Sequence, residues 1–167
     1  MKGKSAMVTM VAASLLTAPY AGGQSTAREE MRSAQFFVGI WNCAHTVGDF
    51  SGTYKTTIAN ALEDRWLKQT YEFPGTSEGT PVRAEFYIGY DGRKKEWVWF
   101  GAMSDGLYFV MVAKRAGDSW AWTCVLPGQR GSAVYTKRSD SQYTVDGPTY
   151  MQNGKQVTEH HTCTKLL

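Results

Sequence analysis

The chain has 167 residues, a one-domain length. It is 43% hydrophobic and 20% charged, the composition of a protein with a packed core, which excludes a disordered or low-complexity chain. Its net charge of +3 falls to +1 if Lys2 and Lys4 are removed with the N-terminal segment, a surplus too small to make nucleic acid a main partner.

Lys2 and Lys4 precede an apolar stretch from Ala6 to Ala18, then Pro19 and the small residues Ala21, Gly22 and Gly23. This is the order of a secretory signal over residues 1–23, with the cut expected before Gln24. The apolar stretch falls short of the roughly 20 residues a spanning helix needs. No later stretch is long and apolar enough to cross a membrane. The mature protein is therefore expected to be soluble, and secreted or periplasmic, where disulfides are permitted.

Residues 24–35 place Ser25 and Thr26 ahead of Glu29 and Glu30, which predicts one short helix. Residues 36–167 change to strands and turns. Thr53–Ile58 and Arg65–Phe73 alternate, and Val82, Ala84, Phe86, Ile88 and Tyr90 make one apolar face. Glu96–Gly101 holds Trp97 and Trp99, Leu107–Ala113 is nearly all apolar, and Trp120, Trp122 and Cys124 share a face. Asp91-Gly92, Asp105-Gly106, Gly117-Asp118, Asp146-Gly147 and Asn153-Gly154 are read as hairpin turns. Strands at this spacing, with no helix between them, predict an all-β, antiparallel up-and-down sheet of about nine or ten strands. Closure into a barrel would remove its edges. The loop from Phe73 to Val82, with Pro74, Gly75, Gly79 and Pro81, is a candidate lid.

In a closed meander the first and last strands pair antiparallel. If Cys43 stands opposite Cys163, the same register sets Trp41 opposite Lys165 and His45 opposite His161. All six then share one face. Each pair makes chemical sense: a cation over a ring, two thiols, two imidazoles. Cys43 and Cys163 are either a disulfide stapling the seam or two buried thiols. Cys124 is expected to be a buried small apolar residue.

His45 and His161 are the sharpest functional lead, as a structural pair, as polar contacts to a ligand or, if they face the cavity, as ligands to a metal or haem iron. This reading gives them no acidic neighbour, so no metal site is expected. His160 points to the opposite face. Trp97 with Trp99, and Trp120 with Trp122, form same-face pairs that either line an apolar pocket, fill the core or meet a partner chain.

Gly39-Ile40-Trp41 resembles the Gly-x-Trp signature of calycin barrels such as lipocalins, in which the Trp packs at the closed end beneath a basic residue of the last strand. Lys165 matches that basic residue by position. Trp41-Asn42-Cys43 and Cys163-Thr164-Lys165 resemble the start and end of a bacterial family of exported domains of unknown function. The resemblance covers about residues 34 to 166. It implies a lipocalin-like barrel and no particular reaction. Nitrobindin-like haem barrels are more distantly similar. There, glycines follow the Trp where this chain has Cys43 and His45, a departure that weighs against haem, although His161 lies on the strand that would carry the ligand.

Nucleophile elbows, zinc-protease motifs, phosphate loops and dinucleotide fingerprints are absent from the sequence. Glu63-Asp64 reads as a turn at a strand start, and Arg93-Lys94-Lys95-Glu96 as a solvated hairpin tip. The expected function is a barrel binding a small apolar or aromatic molecule, with Trp97, Trp99, Trp120, Trp122, His45 and His161 as candidate contacts. A filled structural module is the first alternative. A cavity isomerase or cyclase using His45, His161 and Glu72 is the second, and the reading leans away from an enzyme.

Overall fold

Alternating side chains and Asp/Gly turns produce one long antiparallel meander in the computed structural model, which describes residues 21–73, 81–128, 131–152 and 154–166. Most of the expected signal segment (through residue 20), the interior of the candidate lid and Asn153 of the last Asn-Gly turn lie outside the described residues. The described chain forms ten strands: β1 (Gly39–Val47), β2 (Phe50–Ala61), β3 (Trp66–Phe73), β4 (Val82–Asp91), β5 (Glu96–Met103), β6 (Tyr108–Ala116), β7 (Ser119–Cys124), β8 (Ser132–Ser139), β9 (Gln142–Gln152) and β10 (Lys155–Leu166). Each pairs with its sequence neighbour, and β10 returns to β1 to close the barrel. Closure satisfies the edges that an open sheet of this size would expose.

The seam has the expected register. Trp41 pairs with Lys165, Cys43 with Cys163 and His45 with His161. Cys43 and Cys163 form a disulfide across 120 residues of sequence. In the chain-entropy picture a loop of that length contributes about 4–5 kcal/mol. Cys124 is half-buried rather than buried, on β7.

The helix lies earlier than expected. α1 spans Ala21–Ser33, and a 3-10 turn follows at Gln35–Phe37. Thr26 therefore sits inside the helix instead of capping it, and the expected cut before Gln24 falls in its first turn. The segment closes one barrel end. Met31, Ala34 and Phe37 are buried there, and Arg115 ties Glu30 to β6 at 2.9 Å. Burying side chains the size of Met31 and Phe37 stabilises the plug by about 1.5–3 kcal/mol each.

Below the plug, Trp41 is fully buried and donates its indole N–H to the Phe37 carbonyl at 2.6 Å. Lys165 Nζ lies 5.0 Å from the Trp41 ring centre and donates to the Phe36 carbonyl at 3.0 Å. Gly39 makes room for this lysine. Its φ is +144°, and a Cβ there would come within 2.8 Å of Lys165 Cε.

Most turns match the sequence reading. Asp91 Oδ1 accepts from the amides of Arg93 and Lys94 at the β4–β5 tip. Leu62, Glu63 and Asp64 all have positive φ in the β2–β3 turn. Asp146-Gly147 is the exception, because it lies within β9 instead of in a hairpin. Thr158 pairs with Thr149, but His160 pairs with Asp146. Gly147 and Pro148 together therefore oppose Glu159, as a β-bulge. Pro148 has no N–H for the ladder, and bulges are where sheets accommodate proline.

Candidate functional site

Near the barrel end opposite the helix, β1 and β10 bring His45, His161 and Glu159 together. His45 and His161 are a directly paired couple, and Val47–Glu159 is the next inward-facing pair along the ladder. The imidazoles stack with ring centres 4.5 Å apart. His161 Nε2 lies 2.8 Å from Glu159 Oε1, and His45 Nε2 lies 3.2 Å from the same oxygen. On the far side of His161, Nδ1 meets the Tyr54 hydroxyl of β2 at 2.8 Å.

These contacts fix proton positions. An ionised carboxylate can only accept, so His161 Nε2 carries a hydrogen toward Glu159. In the neutral ring, Nδ1 then accepts from the Tyr54 hydroxyl. The hydrogen bond from His161 holds the Glu159 carboxyl below its ordinary 4.5, against the opposing effect of burial. Burial, helped by the neighbouring His161, pushes the His45 imidazole below its ordinary 6.5, while Glu159 pulls the other way. Burial also raises the Tyr54 hydroxyl well above 10.0.

Glu159 is the residue that the sequence reading missed. The signal was present, since Glu159 stands two positions before His161 and strand residues two apart share a face. His160 points outward as expected, where its Nδ1 meets Asp146 Oδ1 at 2.7 Å. Glu72 does not reach the cluster. It pairs with Arg83 at 2.7 Å on the exposed surface.

All four candidate tryptophans turn into the barrel, but they divide into two groups. Trp97 and Trp120 belong to the plugged end, with Trp120 against Phe37 at 5.2 Å and Trp97 against Trp120 at 6.0 Å. Trp99 and Trp122 stand further along, 6.0 Å apart. From Trp99 an aromatic path runs toward the imidazoles. Its steps are Trp99–Phe86 at 4.8 Å, Phe86–Tyr71 at 5.5 Å, Tyr71–Tyr54 at 6.0 Å and Tyr54–His161 at 5.6 Å. The indole nitrogens of Trp97, Trp99, Trp120 and Trp122, with Gln69 Oε1, are buried without a hydrogen-bond partner among the described residues. Leaving such a group unmet costs about 1–3 kcal/mol.

Both ring nitrogens of His161 are engaged by protein groups. Glu159 Oε1 occupies the approach to His161 Nε2 at 2.8 Å, and the Tyr54 hydroxyl engages the other ring nitrogen. An iron could reach His161 only by displacing one of these two partners.

No family model and no curated protein matches the chain. Among solved structures, a redesigned beta barrel is similar over 81% of this chain and 96% of its own, with a TM-score of 0.47 and 13% identity.

Proposed function

We propose that the protein is an exported barrel that binds a small aromatic molecule bearing hydrogen-bond acceptors. The observation that carries this reading is the set of unmet indole donors at Trp99 and Trp122, buried in an aromatic-walled interior. A ring with carbonyl or carboxylate oxygens would satisfy them. The aromatic path from Trp99 to His161 offers a stacking wall along the way. Trp97 and Trp120 are packed under the helix, so the proposed lining reduces to Trp99 and Trp122, with His45 and His161 as polar contacts. The Cys43–Cys163 disulfide supports an oxidising compartment. The Trp41–Lys165 contact supports kinship with calycin barrels, although this barrel has ten strands and lipocalins have eight.

Tryptophan emission tests the reading. The untagged chain is titrated with a panel of aromatic carboxylates, aromatic ketones and short fatty acids. Saturable quenching by an aromatic member, weakened by Trp99→Phe or Trp122→Phe, is the expected result. Unchanged emission across the panel would overturn it. That outcome would favour a filled structural barrel, a reading supported by the complete burial of Trp41, Trp97, Trp120 and Tyr143.

A further inference from the structure

We propose that His45, Glu159 and His161 form a binding site for one divalent transition-metal ion of the zinc, cobalt or nickel type. Their donor atoms all lie within 4.8 Å of one another. Both imidazole Nε2 atoms already converge on Glu159 Oε1, at 2.8 and 3.2 Å. Three donors about 2.0–2.2 Å from one ion, in tetrahedral directions, stand roughly 3.5 Å apart. Small side-chain adjustments therefore convert the present cluster into a coordination set. Two imidazoles and a carboxylate suit a borderline ion, and without a thiolate the set does not select a soft one.

Three further features argue for metal binding over a hydrogen-bonded trio alone. The ligands sit on the two seam strands, whose register is held by the adjacent Cys43–Cys163 disulfide. Their spacing is thus fixed before any ion arrives. Tyr54 supplies an outer-shell partner of the kind that orients metal-bound histidines. When the ion takes His161 Nε2, the ring proton moves to Nδ1 and donates to the Tyr54 oxygen, so the hydrogen bond persists with its direction reversed. The side chains keep 16%, 29% and 8% exposure for His45, Glu159 and His161. Three protein ligands near a barrel rim leave a coordination position for water or an exogenous ligand, as in open zinc sites.

The site stands on this donor geometry and does not depend on the barrel binding an aromatic molecule. The test is a titration of the full, untagged, chelator-treated chain with Co²⁺ alone, followed by visible absorption and calorimetry. One Co²⁺ per chain is expected, with the absorption of a nitrogen- and oxygen-ligated ion. His45→Ala and Glu159→Gln should each weaken binding by roughly 100-fold or more, beyond the typical cost of losing an outer-shell partner. Tyr54→Phe should weaken it by about ten-fold with the stoichiometry kept. His160→Ala, on the outer face, should leave it unchanged. Circular dichroism confirms that each variant is folded. If Glu159→Gln is not, His45→Ala decides alone, because His45 lies outside the fully buried core. The absence of saturable uptake by the folded chain would overturn the proposal. So would uptake that survives His45→Ala and disappears with His160→Ala, which would place the ion at His160 and Asp146. Neither result bears on the aromatic-ligand reading, which tryptophan emission of the metal-free chain tests separately.

Discussion

Gly147 faces Glu159 across the β9–β10 bulge so closely that a Cβ on Gly147 would lie 2.8 Å from Glu159 Cβ and 3.2 Å from its Cγ. The Glu159 side chain thus occupies the space that a side chain at position 147 would need. A glycine in one strand permits the placement of a carboxylate in the next.

Gly147→Ala is expected to push Glu159 away from His161 and to destabilise the fold by about 1–3 kcal/mol, the usual cost of overpacking. Gly131→Ala is the control, because its nearest contact would be 3.9 Å away. It should change stability by less than about 0.5 kcal/mol. Denaturant midpoints check both values. The imidazole resonances of His161 should move in the first variant only.

Removing the seam disulfide should cost about 2–5 kcal/mol. Adding reductant to the native chain should lower its denaturant midpoint accordingly. The Cys43→Ala/Cys163→Ala double variant should match the reduced protein and show no response to reductant. A native midpoint insensitive to full reduction would contradict the stapling role.

Lys165→Met keeps much of the lysine stem's apolar volume but loses two interactions, the hydrogen bond to the Phe36 carbonyl and the cation over Trp41. A loss of about 1–2 kcal/mol is expected. Because the carbonyl belongs to the 3-10 turn, amide exchange of Phe37 and Val38 should accelerate more than that of the β4–β5 hairpin.

Alkali should unfold the protein through its interior phenols. Burial raises the hydroxyls of Tyr71, Tyr135 and Tyr143 far above the ordinary 10.0. The unfolded chain therefore releases these protons first. Their contribution to stability is complete below pH 10 and declines as pH rises beyond it. Tyrosinate absorbance should show an early exposed group of phenols, with the buried ones appearing only together with loss of the fold. Independent early titration of all nine tyrosines would contradict this placement.

The histidine–carboxylate cluster was half legible. His45 and His161 could be paired from the cysteine spacing alone, because a single register aligns every residue of two closing strands. The place of Glu159 on the same face follows from period-two alternation. Its convergence on both Nε2 atoms does not, since that needs the bulge at Gly147-Pro148, and Asp-Gly followed by Pro is also ordinary turn chemistry. Tyr54 reaches His161 from the other neighbour of β1, a meeting decided by barrel closure.

The sequence by itself determined the elements and the seam. Alternation has a strict period, Asp/Gly turns require particular backbone angles, and both act over a few residues. Three sensible pairs, Trp41–Lys165, Cys43–Cys163 and His45–His161, then set the closing register. Only the tertiary structure decided what meets inside the barrel. Trp97 and Trp99 share a strand face, yet one lies under the helix and the other along the aromatic path to the imidazoles. Glu159 converges on both imidazole Nε2 atoms, and Tyr54 reaches His161 from β2. Such outcomes depend on strand tilt, closure and one bulge, which position side chains from distant segments against one another, and no local pattern encodes them.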